Sequence, residues 1–176
     1  MDREELKKML DDMLMMLDKN GAIMEMEEGT VAAMARVEFL NFLLCLLAQE
    51  GDVTEEEASF VGEMIGVPAT AEEVGEILRE QKLLLEEFGR EIPPTLVMQA
   101  TLDNAMDDEG YVAPMGSSEM LAVIYTHLGM NLLQQREEAM PARTQWALGY
   151  FRMLDDYLNR SLNRRKNPEK YNIPKM

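Results

Sequence analysis

Apolar residues recur every three or four positions through almost the whole chain, the period of a helix with one buried face. The first run is Leu6, Met9, Leu10, Met13, Leu14 and Leu17, with Gly21 as a stop and an acidic loop from Glu25 to Gly29. A second helix opens at Thr30 as N-cap and continues to Gln49. Val31, Met34, Val37, Phe39, Leu40, Phe42, Leu43, Leu46 and Leu47 cover most of its circumference, which predicts a central position in the fold. The chain then turns through Glu50, Gly51 and Asp52. Thr54 followed by Glu57 is a capping box, and it starts a third helix with Ala58, Val61, Met64 and Ile65 inward and Gly66 at its end. Thr70 with Glu73 repeats the device for a fourth helix carrying Val74, Ile77, Leu78, Leu84, Leu85 and Phe88 as far as Gly89. Pro93 and Pro94 suit the first turn of the next helix, with Leu96, Val97, Ala100 and Met106, and Asp107 to Gly110 reads as a loop. Ser117 with Glu119 opens a helix through Leu121, Ile124, Leu128 and Leu132. Pro141 begins the last, with Trp146, Tyr150, Phe151, Leu154, Tyr157 and Leu158 inward.

No segment alternates as a strand would. The pattern therefore predicts an all-α bundle of about seven helices. Its organisation is an amphipathic helix and acidic loop over 1–28, a helical domain over 29–160, and a basic tail over 161–176. In that tail Arg164, Arg165, Lys166, Lys170 and Lys175 face the single acid Glu169, and its expected state is a mobile, solvated end.

Charge narrows the function. With 17 Lys and Arg against 33 Asp and Glu, the chain carries a net charge of -16 and repels nucleic acid and anionic lipid. Charges recur through Asp12, so no signal peptide is expected. The apolar window from Val31 to Ala48 is broken by Arg36, Glu38 and Asn41, and reads as a core helix rather than a membrane span. The lone Cys45, flanked by leucines, suits a reducing cytoplasm and a buried, inert role. The 17 Met residues read as core packing, with a Met-rich binding face as the alternative.

The residues available for chemistry are few. One His and one Cys exclude a Cys/His zinc site and a disulfide framework. Ile124 stands three residues before the sole histidine, His127, so the Glu-x-x-His motif of di-iron bundles is missing. A calcium loop centred on Gly110 would need ligands at Ala105 and Gly116, and one centred on Gly51 would need Leu46, so both fail as EF-hands. What remains is the turn AQEGDVTEEE. Its acids suit helix capping and the macrodipole without any ligand. The alternative is that Glu50, Asp52 and Glu56 converge on a hard cation, Ca²⁺ or Mg²⁺, with turn carbonyls completing the shell.

The run from Phe42 to Gly66, FLLCLLAQEGDVTEEEASFVGEMIG, resembles the tellurite-resistance TerB-like family. The resemblance rests on an apolar helix, an Ala-x-(Asp/Glu)-Gly-x-Val-(Ser/Thr)-x-x-Glu turn and a second amphipathic helix. Ala48, Glu50, Gly51, Val53, Thr54 and Glu57 are the matching residues. It implies an all-helical, often pseudo-duplicated fold, with Glu50, Asp52 and Glu57 as ligands of a divalent cation. In the second copy Gln134, Gln135 and Arg136 stand where the Asp-Gly turn would be, so that half is degenerate. The implied function is a non-enzymatic binding or scaffold module of a bacterial cytoplasm, linked to stress or metal resistance and acting through protein partners. Two alternatives stand beside it. One is a structural or homo-oligomeric interaction subunit without metal, with Met15 and Met16 on its partner-facing side. The other is a carboxylate- and Mg²⁺-dependent hydrolase.

Overall fold

Helix starts in this protein are written largely by carboxylates. The computed structural model describes residues 1–108 and 116–162, the side chains of Asp107 and Asp108 excepted. Among these residues lie eight helices: α1 (Arg3–Ile23), α2 (Thr30–Leu47), α3 (Glu55–Ile65), α4 (Ala71–Glu80), α5 (Lys82–Phe88), α6 (Pro94–Asp108), α7 (Ser117–Leu133) and α8 (Pro141–Ser161). Asp107 and Asp108, expected in a loop, close α6; the rest of that loop, from Glu109, and the basic tail beyond Leu162 lie outside the described residues.

Asp2, Thr54 and Thr70 cap α1, α3 and α4 locally, each in a reciprocal box with the acid three residues on. A second layer of caps comes from other parts of the chain. Asp18 of α1 accepts the Ala32 N–H at 3.0 Å, and Glu55 of α3 accepts the Ala71 N–H at 3.3 Å. Glu38 of α2 accepts the Thr95 N–H at 3.0 Å. Asp103 of α6 accepts the Ser117 and Ser118 N–H groups at 3.2 and 3.0 Å. Glu50 accepts the Ala142 N–H at 2.9 Å. Orphan donors at a helix start are worth about 1 kcal/mol each when capped. Here the cap also fixes where one helix begins relative to another. Part of the acidic composition is structural in this sense.

The all-α expectation holds, with one more helix than the periodicity predicts. The fourth predicted helix breaks at Gln81, whose ψ of 19° ends α4 and starts α5. The break rotates Leu84, expected inward, to 63% exposure, while Leu85 is buried. Thr30 is the first residue of α2 rather than its N-cap, because Gly29 takes the left-handed φ of 84° at the cap.

As predicted, α2 is the hub, packing against α1, α3, α5, α6, α7 and α8. By length and composition it could cross a membrane, yet 56% of its residues are buried inside the bundle. Val37, expected on its apolar face, is exposed. The helix α1 is continuous with this core: Leu6, Leu10 and Leu17 are fully buried, and α1 packs on α2, α3 and α7. At the centre Phe42 meets Tyr125 edge-on at 5.3 Å and Tyr150 at 4.9 Å, and Trp146 stacks on Tyr150 at 5.1 Å.

Candidate functional site

The acidic turn after α2 is held from both sides. Gly51 takes a φ of 71°, a region L side chains avoid, and a Cβ there would stand 2.5 Å from Met140 Cε. Three residues on, Thr54 caps α3. Its Oγ1 accepts the Glu57 N–H at 3.2 Å, and Glu57 Oε2 accepts the Thr54 N–H at 2.9 Å.

The Glu57 carboxylate is 1% exposed and has further partners. Arg143 Nη1 donates to its Oε1 at 2.6 Å, and Arg136 Nε donates to the same oxygen at 3.1 Å. Arg136 Nη2 reaches Oε2 at 3.2 Å. Both guanidinium groups also donate to the carbonyl of Asp52. Burial alone would raise the Glu57 carboxyl. The Arg136 hydrogen bonds, the Thr54 N–H and the Arg143 charge together outweigh it and hold the group below its ordinary value. Both oxygens of Glu57 are therefore already bound to cationic or N–H donors.

Glu50, Asp52 and Glu57 thus come together, with distinct roles. Glu50 caps α8, Asp52 offers its backbone carbonyl while its side chain is exposed, and Glu57 sits under two arginines. Glu56 is exposed on α3. Among the described residues no group of three or more His, Cys, Asp or Glu is placed to hold a metal ion.

The sequence reading missed Arg143. The signal was its register: Arg143, Ala147, Tyr150, Leu154 and Leu158 form the buried face of α8, and a cation at the head of that stripe needs an anion. Arg136, noted only as standing where a second acidic turn was missing, is the other half of the same arrangement.

Behind the turn lies a cleft of about 680 Å³ between the end of α2, the α4–α5 break and the start of α8. Cys45, Leu85 and Trp146 form its inner wall, and Asp52 and Val53 bring the turn itself to its edge. Cys45 is inert, as expected: its thiol donates to the Leu85 carbonyl at 3.0 Å, and burial pushes its pKa up to about 12. Trp146 packs against Gly89, where a Cβ would meet its Cζ2 at 3.2 Å. Arg79, Lys82 and Arg90 stand around the mouth with Glu86.

No protein-family model, no curated protein and no solved structure matches this chain.

Proposed function

We propose that this protein is a non-enzymatic, TerB-like helical binding module that takes its ligand in the cleft beside the acidic turn. The carrying observation is the cleft itself. Its volume is within the usual range for small-molecule sites, and it joins an apolar inner wall to a charged mouth. In this reading the turn is a structural latch. Arg136 and Arg143 take the place that a divalent cation holds in the TerB-like expectation, and the latch fixes α8, and with it Trp146, against the turn.

Two measurements test the reading. Trp146 is the sole tryptophan, so its emission reports on the cleft alone. Binding of the neutral apolar probe N-phenyl-1-naphthylamine, with energy transfer from Trp146, is expected. Failure to bind, with Trp146 inaccessible to acrylamide, would remove the cleft as a site. Thermal unfolding with excess Ca²⁺, Mg²⁺ or Zn²⁺ against a chelator control is expected to show no shift.

A second reading, an oligomeric interaction subunit, is favoured by Leu83 and Leu84, which are 79% and 63% exposed side by side on α5. It predicts a dimer by light scattering at micromolar concentration, lost in Leu83→Ser/Leu84→Ser.

A further inference from the structure

The cleft mouth carries the opposite sign to the chain. Its lining holds Arg79, Lys82 and Arg90 against Asp52 and Glu86, in a protein whose net charge is -16. None of the three cations forms an ion pair among the described residues, although glutamates surround them in sequence. Arg79 in the last turn of α4 and Arg90 just past α5 also offset helix carbonyl dipoles. Lys82, at the start of α5, has no such local account. The Arg79 guanidinium folds back over Gly75, its Nη1 lying 3.5 Å from where a Cβ would be, and both residues line the cleft. The Trp146 indole N–H makes no hydrogen bond to a described residue, which leaves one neutral donor on the wall. Leu78, Leu85 and the Trp146 ring supply the apolar surface beneath.

We propose that the cleft selects a small organic acid, an anionic head held by Arg79, Lys82 and Arg90 with its aromatic or aliphatic body against Trp146 and Leu85. The inference rests on reading the cleft as the binding site and adds the sign of the ligand. The chemistry is that of a charge-assisted hydrogen bond at the rim of an apolar pocket, where Arg and Lys bind a carboxylate or sulfonate more strongly than neutral donors do. The anionic surface outside works against such a ligand, so affinity for it has to come from these three side chains.

The test uses the full chain and two probes that differ only in a sulfonate: 8-anilinonaphthalene-1-sulfonate and neutral N-phenyl-1-naphthylamine. The sulfonate is expected to bind about tenfold tighter or better, a ratio that corresponds to about 1.4 kcal/mol. Iodide is expected to quench Trp146 more efficiently than caesium at matched ionic strength. Arg79→Gln/Lys82→Gln/Arg90→Gln, all exposed positions, should keep the helical circular dichroism while abolishing the sulfonate preference and reversing the order of the quenchers. Equal binding of the two probes, or stronger quenching by caesium in the unmodified chain, would overturn the anion selectivity and leave the cleft a neutral site. Binding of neither probe would remove the cleft reading as well. An unchanged sulfonate preference in the triple variant would place the anion elsewhere and equally overturn the assignment.

Discussion

Glu57 Oε1 lies 2.6 Å from Arg143 Nη1, with both side chains sealed from solvent and 86 positions apart in the chain. Burying a charge of either sign is costly, and the attraction offsets it only where the remaining lone pairs and N–H groups also find partners. Here most do. Arg136 and the Thr54 N–H complete the carboxylate, and the Asp52 carbonyl receives both guanidinium groups. Arg143 Nε has no hydrogen-bond partner among the described residues. The arrangement ties the start of α3 to the start of α8 and so sets one side of the cleft.

Removing one member strands the other. Glu57→Gln keeps an acceptor for the Thr54 N–H but leaves Arg143 buried and uncompensated. We expect a loss of about 3 kcal/mol, a fall in midpoint of roughly 6–12 °C by calorimetry. Adding Arg143→Met removes the stranded charge and should restore more than half of the loss. An unchanged midpoint in Glu57→Gln would mean that the pair adds nothing to stability.

The same pair gives a pH signature. Because the folded Glu57 value is held below 4.5, its stabilisation is fully present above that pH and is lost as pH falls through the folded value. The difference in midpoint between wild type and Glu57→Gln should be constant from neutral pH down to about 5 and shrink below about 4. A difference that persists undiminished in stronger acid would show that the ionised carboxylate is not what Arg143 needs.

What could be read ahead of the structure was what the chain specifies within a turn or two of itself. Thr54 with Glu57 and Thr70 with Glu73 declare their helix starts in four residues, and α2 declares its burial by an apolar surface all round. The break at Gln81 has no Pro or Gly to mark it, so a single stripe through Leu84 and Leu85 looked continuous. The remote caps were also hidden. Nothing near Glu50 announces that it will meet the Ala142 N–H, and nothing near Glu57 announces Arg136 or Arg143. An acidic turn read locally resembles a cation site, and its cations came from elsewhere in the same chain.

Glu38 titrates in the opposite sense. Burial raises its carboxyl, and the hydrogen bonding from Thr95 only partly offsets this, so the protonated form suits the fold. Its favourable contribution is present below 4.5 and is lost as pH rises through the raised value. Glu38 Oε2 and the Tyr125 and Tyr150 hydroxyls are buried with no hydrogen-bond partner among the described residues. Glu38→Gln keeps an acceptor for the Thr95 N–H without a charge. It should match or exceed the wild-type midpoint at pH 8 and lose that advantage at pH 4. Glu38→Ala removes the cap on α6 and should cost about 1 kcal/mol at either pH. A Gln variant clearly weaker than wild type at pH 8 would show that the charge itself is needed.

Gly51 joins a positive φ to a close approach. Gly51→Ala forces a left-handed alanine, about 1 kcal/mol or more, and drives a methyl against Met140 Cε. Because the end of Met140 is flexible, Met140→Ala should relieve only the contact. We expect Gly51→Ala to lower the midpoint by roughly 3–8 °C and the double variant to fall no further than the sum of the singles. If alanine at 51 is neutral, the turn does not depend on this backbone conformation.

The two arginines at the turn differ in depth. Arg136 is the outer of the two, only partly buried, and its removal should leave the fold intact. Arg136→Gln removes one of the two donors on Glu57 Oε2 and one of the two on the Asp52 carbonyl, leaving the Thr54 N–H and Arg143, on the side where the exposed Asp52 carboxylate stands; each oxygen gains an open lone pair, and carboxylate and carbonyl oxygens suit Ca²⁺. Binding of N but not U at one hundred times the dissociation constant stabilises by about 2.7 kcal/mol, or roughly 5–10 °C here. We therefore expect a Ca²⁺-dependent rise in midpoint in Arg136→Gln, abolished by adding Asp52→Asn, and none in the unmodified chain. A rise of equal size in the unmodified chain would return Glu50, Asp52 and Glu57 to the role of ligands, because the cation would then be displacing Arg136 by itself. No rise in either protein would mean that the oxygens are arranged for guanidinium geometry alone, with the second arginine, Arg143, holding Glu57 too firmly to accept a spherical ion.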